Sequence, residues 1–584
     1  MTRPASLFER LLFRAKLADH AFLVAVAMLI GVLGGFGAVL FRKMIGIVLK
    51  GTWGDWTMSL DLVRAHPWWW VVLAPAAGGL VVGPLVYFFA QEAKGHGVPE
   101  VMEAVALRAG VIRPRLVAVK SLASAISIGT GGSVGREGPI VQIGAALGSS
   151  IGQWLKVSGR RLRTLVGCGA AAGIAATFNA PIAGALFAVE VILADFAVAR
   201  FSPIVISSVI ATVVSRHYLG NHPAFEVPEY GLVSAWELPV YLLLGLVAAL
   251  VGLVFIWSLY RLEDLFEDLP MVPWLLTALG GLLVGGIGFV HPEVLGVGYE
   301  AITEALRGHL GLGVLLTLLV AKLLATGLTL GSGGSGGILA PSLFLGATTG
   351  GVVGLAAHGL LPTVTASPGA YALVGMGAVV AGATHAPLTA ILIIFELTSD
   401  YSLIVPLMMS CIIATLVTTR VKRESIYTMK LIRRGVDLSR GQDINVLKAL
   451  KVEDVMDEPA MEVPADAPLG EVIGELTGSP RPVVYVVDGE RRLRGFIVAE
   501  DLRHALEHAH AAPFLIAADL AREDLHPLTP EVGLDSVMRL FAGKNREELP
   551  VVAGDGSGRL VGVVSRRHLI DAYQTELMKR DVVS

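Results

Sequence analysis

Two short stretches hold the residue types that could do chemistry. SIGTGGSVGREGP (127–139) sets five glycines around a charged pair, Arg136 and Glu137. TLGSGGSGGILAP (329–341) has the same rhythm without the acid: matching Pro139 to Pro341 gives an offset of 202 residues and puts Leu339 opposite Glu137. A glycine-rich loop that enters a helix presents unpaired N–H groups and the positive end of the helix dipole, and such an end attracts anions. Two of these ends pointing inward would hold an anion through partial charges, weakly enough to release it. Beside that site, an ionised Glu137 would compete with the anion, and a protonated one would vacate it. Glu137 therefore reads as a gate, since carboxylates placed in membrane interiors are functional by default. The competing reading is an ion pair with Arg136 in a solvated loop. Glu190 and Glu396 each end an apolar helix and read as structural hydrogen-bond acceptors or as cytoplasm-exposed.

The elements that must position these loops are membrane helices. The chain has 584 residues, 54% hydrophobic and 16% charged, with a mean hydropathy of +0.67; soluble chains carry about 25% charged residues. Apolar runs at 21–41, 68–89, 238–257 and 403–419 approach or reach the roughly 20 residues that cross a bilayer as a helix. Others are cut by Gly and Pro, which predicts broken or re-entrant helices. Both glycine breaks lead into helical pattern, at 139–155 and 341–357.

The repeat continues beyond the opening stretches. PIVQIGAALG (139–148) matches PSLFLGATTG (341–350), and APIAGALFAVE (180–190) matches APLTAILIIFE (386–396), the last pair at an offset of 206. Two halves, about 21–220 and 236–435, follow a transporter plan in which broken helices from both halves meet at the substrate. Irregular backbone at membrane depth is tolerated only within protein or around a water-lined cavity.

A change of composition near 420 marks the end of the membrane part. Arg420, Lys422, Arg423, Lys430, Arg433 and Arg434 crowd the junction, which the positive-inside rule makes cytoplasmic. Residues 1–20 read as a cytoplasmic amphipathic helix, so both termini are expected in the cytosol. The net charge of −3 gives no sign of nucleic acid as a partner. Cys168 and Cys411 lie in apolar runs and read as buried free thiols.

The membrane part, roughly 20–435, resembles the CLC family of chloride channels and chloride/proton antiporters. GREGP (135–139) matches the family motif in full, GHGVPE (95–100) resembles its first anion loop, and GGILAP (336–341) its third. The resemblance implies anion contacts from Gly95, His96, Gly97, Val98 and Pro99, from Gly135, Arg136, Gly138 and Pro139, and from Gly337, Ile338, Leu339, Ala340 and Pro341. Glu137 corresponds to the gating glutamate and Tyr427, in SIYTMKL, to the tyrosine that closes the inner end. It further implies a homodimer in the cell membrane, with a separate path in each subunit.

Three departures from the family pattern bear on function. His96 stands where a serine is usual, so an imidazole meets the ion; protonated, it would bind tighter and make transport pH-sensitive near neutrality. A ring turned aside into a hydrogen bond is the alternative. Leu339 replaces a phenylalanine at a position that works through its backbone. Val191 occupies the position where many antiporters carry an inner, proton-relaying glutamate and where channels commonly carry valine.

Residues 452–575 hold a second repeat. PADAPLGEVI (464–473) pairs with TPEVGLDSVM (529–538), and 481–502 pairs with 549–569. Helix, strand, turn, strand and helix in each unit resemble a tandem CBS pair, with units at 452–510 and 511–584 after a linker at 436–451. Such pairs can bind adenine nucleotide through an Asp early in the closing helix. Asp501 fits in the first unit, but His568 replaces it in the second, and dimerisation without ligand is the favoured reading.

The fold class expected is thus a mostly α-helical multi-pass membrane protein with two inverted repeats of broken helices, plus a cytosolic α+β CBS pair. The function expected is transport of chloride or another small anion, with passive conduction favoured by Val191. A chloride/proton or fluoride/proton antiporter of the same fold is the alternative, and a CBS-regulated divalent-cation transporter a distant one. No Rossmann loop, metal-ligand cluster or nucleophile motif supports an enzyme, and no cofactor is required.

Overall fold

The computed structural model describes residues 7–196, 198–221, 228, 230–398, 401–436, 450–457, 461–478, 483–502, 515–543 and 547–572. The proposed linker and the closing helix of the first CBS unit beyond residue 502 fall largely outside these. The chain divides into a unit ending at Val436 and a second from Asp437 to Val583.

Among the described residues of the first unit, seven helices are long and apolar enough to cross a bilayer. The run expected at 68–89 is the helix Trp68–Phe89, and those at 238–257 and 403–419 lie in Leu238–Glu267 and Ile404–Val421. Leu7–Trp53 is a single uninterrupted helix, so nothing in the backbone separates residues 7–20 from the span that follows. Shorter apolar helices, Pro181–Phe187, Pro368–Thr384 and Pro387–Thr398, belong to the broken class.

Duplication is visible in the packing. Glu137–Trp154 lies against Gly159–Phe178, and Leu339–Leu360 lies against Pro368–Thr384. At the first crossing Gly144 meets Gly169; at the second Gly346 meets Gly375, and a Cβ on any of them would run into the facing backbone. With lipid tails as apolar as leucine, helices in membranes associate through such close contacts between small residues. Asn179 and His385, again 206 apart, end their helices in the left-handed region at φ 61° and 57°.

The two halves are also tied by a reciprocal exchange of carboxylates. Glu190 accepts from the amides of Leu388 (3.1 Å) and Thr389 (2.7 Å) and from the Thr389 hydroxyl (2.6 Å). Glu396 accepts from the amides of Ile182 (3.0 Å) and Ala183 (2.7 Å). Each acid thereby satisfies the opening N–H groups of the other half's short helix, the structural role expected of it. Cys168 and Cys411 are buried and free.

In the second unit the strand Glu462–Pro464 runs parallel to Val483–Val487, which pairs antiparallel with Leu493–Val498; Glu548–Val552 pairs antiparallel with Leu560–Ser565. Each unit has its own apolar core, one around Val484 and Ile497, the other around Val551 and Val564. Tyr485 and Phe496 pack on Leu560 and Val563 to join them. In the first turn the Asp488 carboxylate accepts from the amides of Arg492 (2.9 Å) and Glu490 (3.0 Å), which helps hold its pKa below the ordinary carboxylate value.

Glu190→Ala and Glu396→Ala should each lower the melting temperature of the detergent-purified protein. Each loses charge-assisted hydrogen bonds worth about 1.5–3 kcal/mol. Unchanged melting in both variants would contradict the structural role.

Candidate functional site

Three loops meet because their glycines let backbones touch. Gly95 donates its N–H to the Gly334 carbonyl at 3.0 Å and accepts from Gly336 at 3.3 Å, while Gly135 and Gly337 exchange hydrogen bonds at 2.8 and 2.6 Å. A Cβ on Gly138 would strike the His96 carbonyl and come within 2.9 Å of the Gly337 Cα. Ser335 ties the knot from outside, its hydroxyl donating to the Ala93 carbonyl at 2.9 Å. Gly97 turns the first loop into its helix at φ 83°, where other residues are strained.

From this knot three helices start: Val98–Leu107, Glu137–Trp154 and Leu339–Leu360. Their N-cap residues are Gly97, Arg136 and Ile338, and none caps through its side chain. The two longer helices begin two residues before the prolines, so Glu137 and Leu339 are their first helical residues. Pro139 and Pro341 sit within the first turn, where an N–H has no intrahelical partner and proline sacrifices nothing. Three positive helix ends without capping oxygens thus converge on the same backbone junction.

Glu137 is fully buried. Oε1 accepts a hydrogen bond from the Tyr299 hydroxyl at 3.0 Å. The nearest backbone amides are its own and that of Ala340, although Oε2 makes no hydrogen bond of full geometry. The carboxylate therefore lies at the starts of two helices, one from each half. Arg136 does not take it as an ion-pair partner; its guanidinium stands over the Tyr299 ring at 5.3 Å. Tyr299 and Arg136 also line a cavity of about 410 Å³ with Arg42, Asn179 and Glu300.

His96 is 3% exposed, and neither ring nitrogen has a hydrogen-bond partner among the described residues. The alternative in which the ring turns aside into a hydrogen bond is thus not adopted. Its ring lies 5.7 Å from that of Tyr427, which meets Phe187 edge-on at 6.5 Å. Next to it Glu100 is neutralised by Lys430 at 3.0 Å and Arg434 at 3.2 Å. Val191 is buried in the π-helical turn Ala188–Leu193, which packs against Val98–Leu107.

Two buried lysines were not singled out from the sequence. Lys120 Nζ donates to the carbonyls of Ala93 (3.0 Å) and Gly95 (2.8 Å). Lys322 Nζ donates to those of Val294 (3.0 Å) and Gly296 (3.1 Å). In a trans peptide the N–H points opposite to the C=O, so a lysine holding the Gly95 carbonyl turns the His96 N–H away from itself. Lys120 and Lys322 are 202 residues apart. Extending the repeat backwards by that offset would have found both.

Asp501, in the second unit, is committed internally. It accepts from the Val498 amide at 3.0 Å and from Arg522 at 2.8 and 2.5 Å. His568 lies 3.4 Å from Asp457.

Gly138→Ala should push the three loops apart and weaken chloride binding at least tenfold in calorimetric titration, roughly the effect of losing one hydrogen bond to an ion. Binding at the original affinity would contradict the close-packed junction.

Comparison with known proteins identifies the family. The profile of the family described as "Voltage gated chloride channel" matches residues 78–419, and that of the CBS domain matches 452–508 and 517–575. A putative chloride channel protein, ClcB-like, from Ralstonia nicotianae is 37% identical over 422 residues, covering 72% of this chain and 98% of that one. The H(+)/Cl(−) exchange transporter ClcA of Salmonella arizonae is 34% identical over 443 residues, 74% of this chain and 92% of that one. Among solved structures, a slow cyanobacterial Cl−/H+ antiporter superposes with a TM-score of 0.65 at 27% identity, over 70% of this chain and 97% of that one. With a buried acid at a junction of helix starts, seven candidate spans among the described residues and a profile match over more than half its length, the chain is a multi-pass membrane protein that belongs to the CLC family of anion transporters and carries a CBS pair.

Proposed function

We propose that the protein conducts chloride or another small anion passively through the three-loop junction, with Glu137 as its gate. The observation that carries this reading is the seat of the Glu137 carboxylate, buried where two helix N-termini meet. Ionised, it fills the place an anion would take and closes the path. Protonated, it has no charge to hold it there, and an anion replaces it. Amides at the three helix starts, those of Gly97–Val98, Arg136–Gly138 and Ile338–Ala340, then supply partial charges, which bind the ion without trapping it. His96 and Tyr427 form the inner end, with the two unpartnered imidazole nitrogens available to the ion.

Val191 supports passive flow. A buried valine offers no proton acceptor where many antiporters of the family carry a glutamate. Proton-coupled exchange is the second reading, favoured by the relatives described as exchangers and antiporters and by His96, whose free ring nitrogens could carry a proton instead. Chloride-loaded liposomes with a pH electrode separate the two. The passive reading expects chloride efflux without sustained proton uptake; uphill proton uptake during efflux contradicts it.

The same reading places a homodimer in the cell membrane with both termini cytoplasmic, supported by the basic cluster at 420–434. For the CBS pair we propose a dimerising role that needs no nucleotide, since Arg522 already occupies the Asp501 carboxylate.

Glu137→Gln, which imitates the protonated side chain, should leave anion flux open and nearly independent of pH. Flux that still falls steeply as pH rises would argue against the gate. His96→Ser should change the chloride/fluoride/nitrate reversal potentials or their pH response; identical values in both proteins would remove the imidazole from the ion path.

A further inference from the structure

The two halves carry equivalent loops with different contents. GHG (95–97) in the first matches GVG (296–298) in the second at an offset of 201. The four glycines have positive φ, 77° and 83° in one loop, 58° and 84° in the other. Each loop is held by its carbonyls on a buried lysine, Lys120 or Lys322. The first loop presents His96 to Tyr427. The second leads directly into the helix Tyr299–Leu306, whose first residue donates its hydroxyl to Glu137.

Tyr299 is fixed from several sides. Gly298 brings the chain close enough to Phe344 that a Cβ would lie 2.8 Å from its ring. Lys322 fixes the preceding carbonyls, and Arg136 covers the phenol ring. Other charged or titratable groups felt by Glu137 are Arg136 on its own element, Lys322 and Tyr427; Arg42 faces Arg136 and Tyr299 from the first helix. Among the described residues, Tyr299 supplies the side-chain hydrogen bond to the carboxylate.

We propose that Tyr299 is a latch on the gate: its hydroxyl, held in place by the Lys322-anchored loop, donates to the ionised Glu137 carboxylate in the closed position and sets the pH at which the path opens. This rests on the reading of Glu137 as the gate. A donor to the ionised form favours that form, so the latch keeps the carboxylate charged and seated to lower pH. Removing the hydroxyl makes protonation easier and moves opening to higher pH.

The test is anion efflux from liposomes across a pH series for four proteins: the unaltered chain, Tyr299→Phe, Glu137→Gln and the double variant. Phenylalanine keeps the ring beneath Arg136 and removes one oxygen. Tyr299→Phe should raise the midpoint of the flux–pH curve by about one unit, the scale of one hydrogen bond to a charged group. On the Glu137→Gln background, whose flux is flat with pH, the same substitution should change nothing. An unmoved midpoint in Tyr299→Phe, with Glu137→Gln flat, overturns the latch and leaves the gate standing. An equal change on both backgrounds assigns the effect to loop packing and also overturns it. A Glu137→Gln curve that stays steep defeats the gate reading itself.

Discussion

Peptide N–H groups left unpaired at membrane depth are the constraint on which this structure turns. A bare amide away from water is costly unless something accepts from it, yet the junction gathers the starts of three helices whose N-cap residues make no side-chain cap bond. Other backbone groups of the loops hold the arrangement together. Gly135 and Gly337 pair with each other, Gly95 pairs with the third loop, and Lys120 grips the carbonyls of the first. What stays open is donor-rich and weakly positive, which suits a small anion. Donors of that kind are partial charges, which hold an ion less tightly than a full charge in direct contact would.

The two halves share a scaffold and differ in what they mount on it. Close glycine crossings, left-handed helix ends, exchanged carboxylates and loop-holding lysines recur at offsets of 202 to 206 residues. Against that repeated frame, Glu137 faces Leu339 in the alignment, and His96 faces Val297. One acid is enough to occupy a junction that both halves build. Duplication thus provides the junction, and substitution within one copy provides the acid seated in it.

The sequence was legible wherever a residue type leaves few alternatives. Runs of glycine beside proline located both breaks and the helices after them, apolar length located the spans, and the adjacent valine pairs within 483–487 and 548–552 located the CBS strands. Partners that meet only in three dimensions were not legible. Tyr299 sits in an ordinary-looking GVGYEA segment, and nothing local says that its hydroxyl reaches a residue 162 positions away. Lys120 and Lys322 look like isolated charges on apolar helices until the carbonyls they hold are seen. The boundary at residue 20 was equally invisible to the backbone, because a change from charged to apolar side chains does not interrupt a helix. Asp501 matched by position, but only the structure places Arg522 on its carboxylate.

The most direct test is to see the ion. Crystals of the Glu137→Gln protein grown in bromide should give an anomalous peak within hydrogen-bonding distance of the amides that open Glu137–Trp154 and Leu339–Leu360, in the place the carboxylate occupies in the unaltered chain. A map with no bromide at that junction, or with bromide bound only against lysine and arginine side chains elsewhere, would contradict the account.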